Sequence, residues 1–213
     1  MSRLGAGIYA LFIILFGLFG YFAHKWPYFT GDINISLWFQ GITFLKPLMQ
    51  ATAYVSSPIP AIIIVALVAG GLWLWGKKPE AIFVASSTGS AALISWLLKL
   101  LIDRPRPSSE LVQILERTSG CSFPSLHTTC ALVFGGLLFY LTPRLVRQPV
   151  VSGIVRSIIA IVILLIGVSR IYLGVHWTSD VVGGLFLGGL ILYPSISFYN
   201  NYVSKQKTGD KNA

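Results

Sequence analysis

Apolar positions in this chain fall in long uncharged blocks. Leu4 to Ala23 is free of charge over 20 residues and Ala81 to Leu98 over 18; no charge interrupts Pro47 to Gly76. Further blocks run from Thr128 to Leu141, from Val150 to Ser169 with Arg156 as the sole interruption, and from Val181 to Val203. A bilayer core takes about 20 residues of helix, so the blocks predict six spans near 4–23, 58–76, 81–102, 127–142, 152–170 and 177–198. The expected fold is all-α: a polytopic bundle of six transmembrane helices forming one membrane-embedded domain over 1–213. Between the first two spans, Ile33, Leu37, Trp38 and Phe39, then Ile42, Phe44 and Leu45, predict one or two amphipathic helices. These lie on the membrane surface or pack on the bundle as a lid. Pro58 and Pro60 open the second span, and Pro105 and Pro107 break the third. Pro194 is expected to bend or end the last, leaving Lys205 to Ala213 as a polar tail. Gly184 and Gly188, one turn apart, predict a close helix contact within the bundle.

With 54% hydrophobic and 11% charged residues, the composition leaves almost no room for a soluble domain. The first block exceeds the usual 7–15 residue apolar core of a signal peptide, so it reads as a span. A net charge of +9 raises the question of nucleic acid, but the distribution of the charges answers it. Arg3, Lys77, Lys78, Arg144, Arg147, Arg156, Lys205, Lys207 and Lys211 fall on one side of the predicted topology, crowded into short loops and tails. Lys25, Lys46, Lys99, Arg104, Arg106, Arg117 and Arg170 fall on the other, spread over longer segments. The crowded side is cytoplasmic by the positive-inside rule. Both termini are therefore expected in the cytoplasm of a bacterial-type inner or plasma membrane. Arg104, Arg117 and Arg156 read as snorkelling anchors and His24 as an interfacial side chain. Cys121 and Cys130 read as either a disulfide or two free thiols.

On this topology the remaining polar residues converge on the outer face. Lys99 and Arg106 lie at the outer end of the third span, Ser125, Leu126 and His127 open the fourth, Arg170 closes the fifth, and His176 and Asp180 open the sixth. His176 and Asp180, four apart, share a helix face, so the carboxylate can hold one imidazole nitrogen and leave the other to attack. Lys99, Arg106 and Arg170 supply donors for phosphate oxygens, with Ser125 and the Leu126 or His127 amide and the dipole of the sixth helix in support. In this reading His176 is the nucleophile, Asp180 orients it, and His127 is the acid for the leaving oxygen and then the base for water. No third ligand accompanies the two histidines, and neighbouring cations would repel a metal ion. A His–Asp pair of this spacing also occurs as a structural contact or a proton relay.

These residues resemble the signatures of the type 2 phosphatidic acid phosphatase superfamily. Lys99 followed after six residues by Arg106-Pro107 matches the first, and Pro124-Ser125-Leu126-His127 the second, with leucine where the family has glycine. Ser169-Arg170, His176 and Asp180 match the third. The resemblance implies a metal-independent, cofactor-free phosphatase acting at the extracytoplasmic face on lipid phosphates or diphosphates. Candidate substrates are phosphatidic acid, phosphatidylglycerophosphate and undecaprenyl diphosphate. The same resemblance assigns His176 as nucleophile and His127 as acid. Leu126 also resembles the second motif of phospholipid headgroup transferases, so a lipid phosphotransferase is the second reading and a non-catalytic lipid-phosphate-binding or transport protein the third. The expected partners are the lipid substrate and the bilayer, with no nucleic acid and no obligate protein.

Overall fold

A computed structural model describes residues 3–209. It contains eight α-helices: α1 (Arg3–Lys25), α2 (Asp32–Gly41), α3 (Lys46–Val55), α4 (Pro58–Leu74), α5 (Lys78–Ile102), α6 (Leu126–Leu145), α7 (Pro149–Tyr172) and α8 (Thr178–Gly209). No strand occurs among the described residues. Helices α1, α5, α6, α7 and α8 are each long and apolar enough to cross a membrane. The second expected span is shorter than its apolar block implies: α4 has 17 residues and meets the Thr43–Val55 segment at a 63° bend. Taken together, this bent pair makes the sixth candidate span. Proline at the first helical turn opens α4, α5 and α7, where its missing N–H costs nothing.

The sixth expected span does not end at Pro194: α8 runs on to Gly209, so the polar tail is helical that far, and its remainder, 210–213, lies outside the described residues. Proline lacks the N–H that would bond the carbonyl four residues back, here Leu190. The Tyr9 hydroxyl of α1 donates to that carbonyl at 2.7 Å, so the freed acceptor is satisfied by a neighbouring helix and α8 continues.

Helix α6 lies against α5, α7 and α8. Where α8 crosses it, a Cβ on Gly184 would lie 2.7 Å from the Ser125 carbonyl, and one on Gly188 would lie 2.9 Å from Leu132. The expected small-residue contact is therefore internal. Val133, Leu137 and Leu141 of α6 join Val84 and Ala91 of α5 and Tyr199 of α8 in one core cluster. Phe16, Ile102, Phe123 and Leu187 form a second at the other end, beside the loop from 103 to 125.

Helices α2 and α3 pack on the bundle as a lid. Met49 and Ala53 of α3 are buried against Tyr172, Leu173 and Val175. Helix α2 turns its polar stripe inward: Asp32, Ser36 and Gln40, at i, i+4 and i+8, are buried, whereas Trp38 is 64% exposed. Against a bilayer this inverted polarity is the stable arrangement, since lipid tails accept the apolar face and the polar groups need partners inside.

Candidate active site

Each motif residue stands at the same end of the bundle, where α5 and α7 finish and α6 and α8 begin. Lys99 sits in the last turn of α5, and its ammonium donates to the Cys121 and Ser122 carbonyls, both at 2.8 Å. Arg106 lies in the extended segment beyond Asp103, whose left-handed φ of 48° ends α5. Its Nη1 donates to the Val175 carbonyl at 2.6 Å and stands 3.4 Å from His176 Nε2, while Nε donates to the Gly120 carbonyl at 2.8 Å. Arg170, in the last turn of α7, is buried and donates through Nη1 to Glu116 at 3.3 Å; its Nη2 is buried without a hydrogen-bond partner among the described residues.

His176 lies in the turn between α7 and α8, held by its amide on the Arg170 carbonyl at 3.2 Å. The turn needs Gly174, whose φ is +70° and whose added Cβ would lie 2.2 Å from the Gln113 carbonyl oxygen. The imidazole is 2% exposed, and burial pulls its pKa from 6.5 down to about 3; Asp180 opposes the shift, and Lys99 and Arg106 add to it. A neutral ring leaves one nitrogen with a free lone pair. Its Nδ1 is 3.4 Å from Asp180 Oδ2, so the proton belongs on that side and Nε2 faces Arg106. Burial likewise lowers the Arg106 guanidinium, with Asp180 pulling the other way.

Asp180 is fully buried and saturated with donors. Its Oδ2 accepts the Trp177 amide at 2.8 Å and the Ser122 hydroxyl, the half of a capping box in which a third-position acid reaches back to the helix start. Its Oδ1 accepts Arg104 Nη1 at 2.6 Å. Arg104 is therefore no snorkelling anchor: it is 0% exposed and bridges Asp180 to Asp32 of α2, 3.1 Å from Nη2. Asp32 in turn accepts the Ser179 amide at 2.8 Å and the Ser179 hydroxyl at 2.6 Å. The Ser179 amide at the start of α8 is thus committed to the Asp32 carboxylate.

The second motif is divided. Ser125 is buried; its amide donates to the Asp180 carbonyl at 3.0 Å, joining the start of α6 to α8, and its hydroxyl accepts from Thr128 at 3.0 Å. Leu126 is the first residue of α6, and its amide and that of His127 precede the helical hydrogen-bond ladder. His127 is partly buried in the field of Arg170, Lys99 and Arg106, and its ring makes no hydrogen bond among the described residues. Both cysteines are free; Cys121 donates to Asp103 at 3.1 Å, which together with burial raises its pKa. His24 caps the end of α5 at the Ile102 carbonyl, 2.8 Å away, and Arg156 lies 4.0 Å over the Phe139 ring.

Sequence reasoning missed Asp32, Arg104, Ser122 and Glu116. Asp32 carried a signal, being the sole acid in the first 79 residues and lying in an apolar segment. Arg104 was masked by its neighbour Arg106 in the repeated Arg-Pro.

The chain is similar in sequence to proteins named as lipid phosphatases. Phosphatidylglycerophosphatase B of Bacillus subtilis is 27% identical over 151 residues, 70% of this chain and 73% of that protein. Undecaprenyl-diphosphatase BcrC of the same organism is 31% identical over 136 residues, 62% of this chain and 65% of that one. The crystal structure of a transmembrane PAP2-type phosphatidylglycerolphosphate phosphatase from B. subtilis is similar in fold, with a TM-score of 0.75 over 88% of this chain and 96% of that one at 24% identity. The PAP2 superfamily model matches residues 80–204, from the start of α5 through α8 and so across all three motifs, and the chain belongs to that family of membrane lipid phosphatases.

Proposed function

We propose that the protein hydrolyses lipid phosphate monoesters or diphosphates, of the phosphatidylglycerophosphate or undecaprenyl diphosphate type, at the extracytoplasmic face through a phosphohistidine. The observation that carries this reading is the placement of His176, with Nδ1 3.4 Å from Asp180 Oδ2 and Nε2 3.4 Å from the Arg106 guanidinium. Lys99, Arg106 and Arg170 take the non-bridging oxygens, and the open amides of Leu126 and His127 add donors. His176 Nε2 attacks phosphorus in line, the bond to the leaving oxygen breaks, and His127 gives that oxygen its proton. Water then loses a proton to His127 and attacks phosphorus, the N–P bond breaks, and inorganic phosphate leaves with His176 neutral again. The Ser125 hydroxyl accepts from Thr128, which leaves its own proton to donate to a phosphate oxygen.

Purified protein given a panel of lipid phosphates should release free phosphate with chelator present. Release only when an alcohol acceptor is added would favour the phosphotransferase, and no turnover with retained lipid binding would favour a binding protein. Vanadate, which adopts five-coordinate geometry, should inhibit at micromolar to low millimolar levels, and full activity above that range would count against the site as drawn. For the orientation, cysteines at Ser109 and Gln148 in a Cys121→Ser, Cys130→Ser background should react with an impermeant maleimide from outside and inside respectively. Reversed labelling would overturn the orientation.

A further inference from the structure

Three charges are buried together beside the candidate nucleophile: Asp32 at 3% exposure, Arg104 at 0% and Asp180 at 0%. They come from α2, from the loop after α5 and from α8, up to 148 positions apart in the chain. Arg104 lies with Nη1 2.6 Å from Asp180 and Nη2 3.1 Å from Asp32, and its guanidinium carbon is 5.0 Å over the Phe29 ring. The Phe29 amide donates to Asp32 at 2.8 Å, so one short turn supplies both the ring and the acid that hold the arginine. Burying such a set is a poor route to stability, because the desolvation of each ion offsets much of the attraction. What the set does achieve is geometry. With Oδ1 of Asp180 fixed by the guanidinium, Oδ2 has one direction left, towards Ser122, Trp177 and His176 Nδ1.

We propose that Arg104 and Asp32 are positioning residues for the His176–Asp180 pair: Asp32 fixes the Arg104 guanidinium, Arg104 holds Asp180, and Asp180 holds the imidazole with Nε2 aimed at phosphorus. The lid helix α2 is thereby part of the catalytic framework, since its first residue decides how the arginine sits. The inference rests on the phosphohistidine reading and adds a second tier to it. In a serine protease, removing the charge of the acid that fixes the catalytic imidazole costs about 10⁴-fold in rate. Residues acting one and two contacts further away should cost progressively less.

The test is steady-state kinetics of full-length protein in detergent, with inorganic phosphate as a competitive inhibitor to read ground-state anion binding. Arg104→Gln should lower kcat about 100-fold and Asp32→Asn about 10-fold, with KM and phosphate inhibition each within threefold of the starting protein. Arg104→Lys, which keeps the charge but cannot bridge two carboxylates, should recover part of the Arg104→Gln loss. Gln40→Ala removes the other polar tether of α2, whose amide donates to the Gln113 carbonyl at 2.7 Å and the Tyr172 carbonyl at 3.0 Å. That variant should lower the melting temperature while kcat changes at most threefold. If Asp32→Asn and Arg104→Lys both keep kcat within twofold, or if Gln40→Ala loses as much kcat as Asp32→Asn, the positioning role is wrong. Failure of the underlying reading looks different: His176→Ala would then retain turnover, whatever the Arg104 and Asp32 variants do.

Discussion

His176→Ala is expected to lower kcat by at least about 10⁴-fold while the protein still inserts, folds and binds inorganic phosphate. Removing a nucleophile leaves only the binding and electrostatic contributions of the site, and in a triad enzyme that loss is of this size or larger. The three cations are anchored elsewhere: Lys99 by Cys121 and Ser122, Arg106 by Gly120 and Val175, and Arg170 by Glu116. Phosphate inhibition should therefore change less than fivefold. Rapid quench with ³²P-labelled substrate should give an acid-labile adduct in the parent and none in the variant; near-normal turnover by the variant would sink the assignment. The same ring makes a second, independent signal. Its pKa is about 3 in the folded protein against about 6.5 when unfolded, so between those values the unfolded chain binds a proton that the native one does not. The contribution of neutral His176 to stability is thus fully present above pH 6.5 and is lost as pH falls through that window, at up to about 1.4 kcal/mol per unit. Melting temperatures measured at pH 7 and pH 5 should fall less for His176→Asn than for the parent.

How far the chain could be read in advance depends on which physical rule governs each part. Uncharged blocks gave the helices, because a bilayer demands them wherever the backbone crosses. Helix ends followed from Pro58 and the Pro105–Pro107 break, whose local chemistry decides the outcome. Pro194 does not end its helix, because Tyr9, a residue 185 positions away, satisfies the orphaned carbonyl. The inward face of α2 was hidden for a different reason. Apolar residues in a membrane protein point to lipid as readily as to a core, so Leu37 and Trp38 did not mark the buried side. The buried side instead carries Asp32, Ser36 and Gln40. The motif residues Lys99, Arg106, Arg170, His176 and Asp180 were legible because their chemistry is rare in apolar chain and their spacing is local. Arg104 and Asp32 were not, since a buried ion pair is made by tertiary contact between segments with no common pattern.

The tightest of these contacts gives the other large effect. Gly174→Ala should lower stability by about 2–4 kcal/mol and kcat by more than about 100-fold. A φ of +70° is unfavourable for alanine by about 1 kcal/mol, and the new methyl would stand 2.2 Å from the Gln113 carbonyl oxygen, so one backbone must move. Neither is free to do so. The loop carrying Gln113 is pinned two residues on, where the Leu115 amide donates to the Leu173 carbonyl at 2.9 Å. On the other side the turn is closed by the Val175 and His176 amides on the Arg170 carbonyl, both at 3.2 Å. Any shift that relieves the methyl therefore moves Arg170 and His176 relative to each other, and a displacement near 1 Å can cost about 100-fold in rate. Gly89→Ala supplies the comparison, since its added methyl meets nothing within 4 Å and lies within α5. It should leave kcat unchanged and stability equal or raised by up to about 1 kcal/mol. If Gly174→Ala melted and turned over like Gly89→Ala, the loop at Gln113 would not lie against this turn, and the brace that sets Arg170 beside His176 would have to be sought elsewhere.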